Sequence, residues 1–517
     1  MATPTLSRED SPLPTETTAL LSHSRSLQDT PPITRPSVSP VVNHLRAHGP
    51  HAFASATPLG YATLADSEQA AFRLIIYLQL YLLSKRPTLN GQDVWEQWSA
   101  ERVAETGASD FERLLLHTWS EFVERNRSGE EIETCLWTSF PLDDGAPRQI
   151  RVVDMLNDPD GPTSFLSHRL VFISLLRTWN HGRALRPAPS ALKRVIQILE
   201  SKATPRVLHA LDIFIHLGYL AMLANYLLHP PNSVIINSTS PQGGPREVLL
   251  IIYSVASLCR LWTAYVVPCS LVALTFLFSL PATPLPGEIT YGILLGSFVL
   301  HILLLHLPRT PSPNFLFAPE VTLPLSTLLW HEFTWTLYPA LLFYFPAFLL
   351  SSYLLSVALM DSIPVFTVGT VFTLIRAAPM ATREAFVALW ATVILLILTS
   401  TTLLVLFSAS VLSSSTYTSG PWDRYSQPVG QHARRIFVTA VLAYSSEHFF
   451  PPPFNLLQLV FIHPPVVILR LFGKRDLRFI LRVESVLWRG TVGLCALVVA
   501  GIWLWISSLP LSPSLGR

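Results

Sequence analysis

From residue 206 onward the chain passes through stretches almost free of charge: 207–228, 248–266, 269–280, 288–307, 325–360, 385–412 and 486–508. Most approach or exceed the roughly 20 apolar residues that cross a bilayer as a helix. In hydrocarbon every backbone N–H and C=O must be satisfied within the segment itself, so such runs are helical. Half the residues are hydrophobic and only 14% are charged, against about a quarter charged in soluble chains. The expected fold is therefore all-α: a polytopic membrane protein with about six to seven transmembrane helices and a cytosolic helical N-domain. A net charge of +2 offers no footprint for nucleic acid. Cys135, Cys259, Cys269 and Cys495 show no paired spacing and read as small hydrophobes.

Two of the runs need internal breaks. Residues 248–280 read either as one tilted helix or as a hairpin, and Arg260 and Pro268 favour the hairpin. Residues 325–360 exceed one straight span, and Pro339 and Pro346 are expected to break them. Lys193, Arg194, Lys202 and Arg206 precede the first run, and a long basic series from Arg424 to Arg489 follows the run ending at 412. Basic flanks lie on the cytosolic side, so an even number of spans, six, is expected between them. The loop after the first span is then luminal or extracellular, and it carries the glycosylation candidate Asn237 within Asn237-Ser238-Thr239. Whether 486–508 crosses stays open at this level; if it does, the C-terminus is luminal.

The chain divides by composition into a disordered cytosolic tail (1–65), a helical linker domain (66–205), a transmembrane domain (206–412), a basic cytosolic segment with an interfacial helix (413–485), and a C-terminal apolar helix and tail (486–517). In the tail, Glu16 four residues before Leu20 and Leu21 fits an acidic dileucine sorting motif, or a chance match of three positions. In the linker domain, Ser109 with Glu112 three residues on has the form of a capping box opening a helix. A further helix is expected over 190–202, and Asn157 to Pro162 has turn chemistry. Neither a phosphate loop nor a nucleophile elbow is present. No cofactor and no enzyme activity is expected, and the domain's role is linkage or gating.

Ionisable groups within the runs are few, and they include His209, Asp212 and His216 on the first, Arg260 on the second, and His331 and Glu332 on the fifth. Charges at membrane depth face partners, which suggests that Asp212 pairs with Arg260. The alternatives are a hydrated Asp212 near the interface, or a His-Asp set coupled to protons. Thr399, Ser400, Thr401 and Thr402 on the last long run are pore-lining candidates in an oligomer, or hydroxyls that pack helices in lipid.

The stretch 449–465, FFPPPFNLLQLVFIHPP, is too apolar for a loop and too proline-rich for a span. Its prolines predict a stiff extended entry. Asn455 is placed to cap the next short helix, and Pro464 with Pro465 to stop it. The elbow Pro452, Pro453, Phe454 and Asn455 is then interfacial or re-entrant. The basic run behind it lies on anionic headgroups, where each Lys or Arg gains about 1 kcal/mol.

This order, with Tyr425, Pro452, Pro453, Phe454, Asn455, Leu456 and Pro464 ahead of the basic run, resembles the fungal vacuolar TRP-type cation channels, the calcium-release channels of the vacuole. The resemblance covers roughly residues 385–508 in order, and the membrane region more loosely. It implies a calcium-permeable, homotetrameric channel of the vacuolar membrane with a cytosolic N-terminus and the lipid bilayer as partner. One departure stands out. The loop 361–384 is short for a pore helix and filter, its Thr367-Val368-Gly369 lacks a following Tyr-Gly, and carboxylates occur only at its edges, Asp361 and Glu384. A channel degenerate in its pore, a non-conducting membrane scaffold and, with no internal repeat to support it, a secondary transporter are the competing readings.

Overall fold

The computed structural model describes residues 35–49, 60–85, 94–125, 127–143, 149–183, 200–230, 244–260, 263–280, 288–359, 380–407, 420–446, 448–471 and 478–508, with a few single positions between them. The sorting motif Glu16, Leu20 and Leu21, the sequon at Asn237, the helix expected over 190–202 for the most part, and residues 361–379 of the short loop lie outside them. The regular secondary structure of the described residues is helical apart from one two-stranded ladder, β1 (Phe140–Pro141) against β2 (Gln149–Ile150). The chain forms two compact units. One holds residues up to 317 and from 434 onward, and the other holds 318–433.

The first unit begins with helices α1 (Ser39–His48), α2 (Asp66–Lys85) and α3 (Val94–Glu124). α2 is buried on nearly every face, from Ala70 to Tyr81, and α3 packs along it. Here the structure departs from the sequence expectation. α3 starts at Val94 and runs straight through Ser109, whose Oγ donates to Thr106 O (2.8 Å) instead of capping. Glu112 accepts from Ser164 Oγ. The packing on α2 carries the helix across Gly107 despite its low propensity. The true capping box opens α4 (Gly129–Trp137): Ser128 Oγ accepts from Glu131 N, and Glu131 Oε2 accepts from Ser128 N, both at 3.3 Å. Helices α5 (Val152–Leu156), α6 (Thr163–Leu166) and α7 (Arg169–His181) complete this domain. Buried Trp119 donates to His168 Nδ1 (3.1 Å), which also accepts from Leu170 N at the start of α7. Burial holds the His168 pKa below its ordinary range, which keeps that nitrogen an acceptor.

Four apolar helices follow in the same unit: α8 (Pro205–Leu228), α9 (Pro245–Leu258), α10 (Val266–Phe278) and α11 (Ile289–Leu305). Thr204 caps α8 through Val207 N (3.3 Å), and Pro205 occupies the first turn, where a missing N–H costs nothing. α9 and α10 are separate helices packed on each other, so residues 248–280 form the hairpin. Hydrogen bonds across the two ends show that the helices run up and down in turn. At one end Tyr226 OH donates to Pro284 O (2.7 Å), Tyr291 OH to Leu227 O (2.6 Å) and Arg246 to Asn225 Oδ1 (2.8 Å). At the other end, where α8 begins, Tyr265 OH donates to Pro311 O (2.9 Å) and His209 Nε2 meets Ser312 O (2.9 Å). We call this the entry end. The interior is aromatic, with Tyr219 stacked on Tyr253 (4.3 Å) and His216 against Tyr265 (4.1 Å), while Val248, Leu249, Val267, Leu274 and Leu277 face outward as a lipid-facing surface does.

The second unit holds α12 (Pro319–Glu332), a π-turn over Phe333–Leu337, α13 (Tyr338–Leu359) and α14 (Met380–Phe407). The break expected at Pro339 and Pro346 is corrected by the structure. Pro346 lies inside the continuous α13, and the irregularity is the π-turn just before Pro339. A proline cannot bond the carbonyl four residues back, and a widened turn absorbs that loss without ending the helix. α13 and α14 are antiparallel: Tyr344 OH pairs with Ser400 Oγ (3.2 Å) and Trp390 Nε1 with Ser352 Oγ (3.1 Å). A 3-10 turn (Pro421–Asp423) then leads into α15 (Gln427–Tyr444). Gly430 is obligatory there, because a Cβ would stand 2.7 Å from Trp422 O and closer still to Asp423 Oδ1. α15 passes into the first unit at residue 434.

The chain ends with α16 (Asn455–Phe461), α17 (His463–Leu471), α18 (Arg478–Trp488), a π-turn over Arg489–Gly493 and α19 (Leu494–Ser508). α19 packs along α8. Among the described residues four helices are long and apolar enough to cross a membrane: Pro205–Leu228, Tyr338–Leu355, Arg383–Leu403 and Phe479–Ile502. α10 and α11 are shorter apolar helices, packed with α8 and α9 in the bundle. The architecture is that of a polytopic all-α membrane protein.

Candidate functional site

On α8 the spacing of His209, Asp212, His216 and Tyr219 follows the helical repeat, so all four face the bundle interior. Asp212 is 1% exposed and Arg260, in the turn after α9, is 7% exposed. The structure brings the two together: Arg260 Nη1 lies 3.0 Å from Asp212 Oδ2 and 3.2 Å from Oδ1. A third group closes the site from 232 residues away, as Tyr444 OH at the end of α15 donates to Asp212 Oδ2 (2.7 Å). The Arg260 guanidinium also stands 4.6 Å over the Phe449 ring, a cation–π geometry that favours a desolvated charge.

The aromatic wall around this pair comes from three regions of the chain. The His209 ring lies 4.9 Å from Tyr444, 5.3 Å from Phe315 and 5.5 Å from Trp179. Phe437, one helical heptad before Tyr444, packs on Trp179 (5.7 Å) and Phe172 (5.6 Å) of α7. Further along α15, Arg435 donates to Gly161 O (3.2 Å) and Thr439 Oγ1 to Asn157 Oδ1. The turn at Asn157 to Pro162 thus serves as a seat for α15.

The elbow after α15 docks on the same end of the bundle. Asn455 Nδ2 donates to Ala256 O (2.6 Å) in the last turn of α9, a second bond on a carbonyl that also accepts from Cys259 N (3.2 Å). This corrects the capping role expected of Asn455. It is the first residue of α16, whose N-cap is Phe454 with no side-chain bond. The prolines also act otherwise than expected. Pro451 to Phe454 form a tight turn, with Asn455 N on Pro451 O (3.2 Å) and Leu456 N on Pro453 O (3.1 Å). Pro464 and Pro465 open α17 instead of stopping α16, the positions at which proline fits a helix. Trp488 Nε1 donates to Phe449 O (2.9 Å), and Arg489 Nη2 pairs with Glu200 (2.7 Å). Half-buried His448 lies against Trp488 (5.8 Å). Burial first, and then the Arg489 charge, push its pKa down to about 4.

The site is therefore a buried, charge-balanced junction of α8, the α9–α10 turn, α15 and the elbow. Sequence reasoning reached Asp212 and Arg260 because intramembrane charges are scarce. It missed Tyr444 and Phe449, although Phe437, Ala440, Val441 and Tyr444 form a visible apolar stripe at helical spacing. Among the described residues no His, Cys, Asp and Glu group is placed to hold a metal ion. Of the pore-lining candidates, Ser400 turns toward Tyr344 and Thr401 is half-buried, bonded to Ile397 O (2.7 Å). Thr399 and Thr402 lie on the exposed face of α14, each bonded to its own helix backbone. His331 on α12 is exposed beside Trp335 (5.7 Å).

No protein-family model matches the chain, and no curated protein matches it. Among solved structures it is similar to the thermo-sensitive TRP channel TRP1 of the alga Chlamydomonas reinhardtii in nanodiscs, with 12% identity and a TM-score of 0.37. The match covers 87% of this chain and 62% of that one, so this chain spans less than two thirds of that structure's length. The functional reading rests on the geometry of the junction.

Proposed function

We propose that the protein is a channel-like subunit of a homo-oligomeric cation conductance, tetrameric and calcium-permeable, in the vacuolar membrane, with its N-terminal domain in the cytosol. One observation carries this reading. α15, the helix that comes after α14 in the chain, ends on the buried carboxylate of the first apolar helix, Tyr444 on Asp212. Movement of the end of α15 would act on the four-helix bundle and the N-terminal domain together. Such linkage is what a gated pore requires and what a static anchor does not. The exposed face of α14, with Thr399 and Thr402, is the surface that copies would turn toward a shared axis. The basic residues after α17 would hold anionic headgroups.

The test is patch-clamp recording of the purified chain in giant liposomes under calcium and potassium gradients. A cation conductance whose unitary size changes in Thr399→Val or Thr402→Val, and whose open probability but not unitary size changes in Tyr444→Phe, is the expected result. A silent membrane from folded, oligomeric protein would replace this reading with that of a non-conducting scaffold.

A further inference from the structure

Between Glu447 and Arg470 the chain carries no Asp, Glu, Lys or Arg. Within this interval α16 and α17 expose Leu459, Val460, Phe461, Val467 and Ile468, each at 43–60%. A water-facing helical stretch of this size would carry charge, and an apolar patch on this scale marks a surface that something covers. Two of its polar side chains are bonded to neighbouring elements: Asn455 to Ala256 O, and Gln458 Nε2 to Glu484 Oε1 of α18 (2.9 Å). α18 continues the exposed apolar surface with Phe479 and Val486, and α19 with Leu494 and Val498.

We infer that α16 and α17 form a wedge seated in the bilayer leaflet at the entry end of the bundle, at the boundary of acyl chains and headgroups. Two features select lipid over a protein partner. The apolar surface is continuous with α18 and α19, whose joint stretch Phe479–Ile502 is long and apolar enough to cross, and α19 lies along α8. The charge that follows is one-signed: Arg470, Lys474, Arg475, Arg478 and Arg482 against Asp476 alone, a balance of +4 before Glu484, as an anionic headgroup layer favours. An amphipathic element of this kind buries its apolar face about 5–10 Å into that boundary. Because the wedge leaves the bundle at Asn455 and returns to it at Trp488, its depth sets the position of the elbow that holds Phe449 against Arg260. The inference requires a bilayer but not conduction.

Site-directed spin labelling of the full chain in nanodiscs tests it. Val460→Cys and Val467→Cys are labelled separately, with Cys259 and Cys495 replaced by Ser, since Cys135 and Cys269 are buried. Glu130→Cys on the exposed start of α4 serves as the aqueous reference. The expected result is a severalfold higher ratio of oxygen to nickel-chelate accessibility at both wedge positions than at the reference. Equal ratios place the wedge in water and overturn the inference. Low accessibility to both reagents places another protein surface there, which overturns it equally. A silent conductance assay leaves this measurement unaffected, so the two readings fail separately.

Discussion

Asp212 is the residue on which the junction turns, because a buried carboxylate is tolerated only while its charge is answered. Arg260 and Tyr444 both answer it, each bonded to Asp212 Oδ2. Removing one partner of a buried pair leaves the other uncompensated, at a cost of about 3–5 kcal/mol, whereas replacing both with apolar groups of similar size is far milder. Asp212→Leu or Arg260→Met alone should therefore lower the thermal midpoint of the detergent-solubilised protein sharply. The double variant should recover most of the loss, and Tyr444→Phe should cost about 1.5–3 kcal/mol as a lost bond to a charged group. A loss in the double variant equal to the sum of the two single losses would mean that the residues do not act as a pair. The partners differ in how well they read from sequence. Asp212 and Arg260 stand out as charges in apolar surroundings, while Tyr444 is one aromatic among many and is selected only by the chain's return path.

The elements at the junction show how local chemistry can be read correctly and assigned to the wrong end. Pro464 and Pro465 were expected as stops and are starts, and Asn455 was expected as a cap and is a strut to α9. Proline forbids a helix interior but fits a first turn as well as a following loop, and an amide serves whichever backbone group lies nearest. The turn between α15 and α16 also carries a pH dependence. The folded state holds His448 at about 4, whereas an unfolded histidine titrates near about 6.5. Between these values the unfolded chain binds the proton first, so stability falls as pH drops through that window. Thermal midpoints measured from pH 7 to pH 4.5 should decline less steeply in His448→Gln than in the parent. Parallel slopes would show that this histidine is not the source.

At the scale of the whole molecule, the Arg489–Glu200 pair and the packing of α19 on α8 start both helices at the same end. α19 therefore runs parallel to α8, and as a span it is expected to leave the bilayer on the far side from the N-terminal domain. In sealed vesicles, an epitope fused after Ser508 should be protected from protease when one inserted at Glu130 is cleaved. Cleavage of both would place α19 on the surface instead of across the membrane. The sequence by itself determined the class of molecule, an all-α membrane protein with a helical domain ahead of its spans, because hydrocarbon admits few backbone solutions and charge is too costly there to be scattered. It determined equally that Asp212 and Arg260 needed partners. Only the tertiary structure decided that the chain's last third folds back onto its first membrane helix. Contacts between residues more than two hundred positions apart leave no local periodicity, and long-range packing alone selects which of many apolar stripes meet.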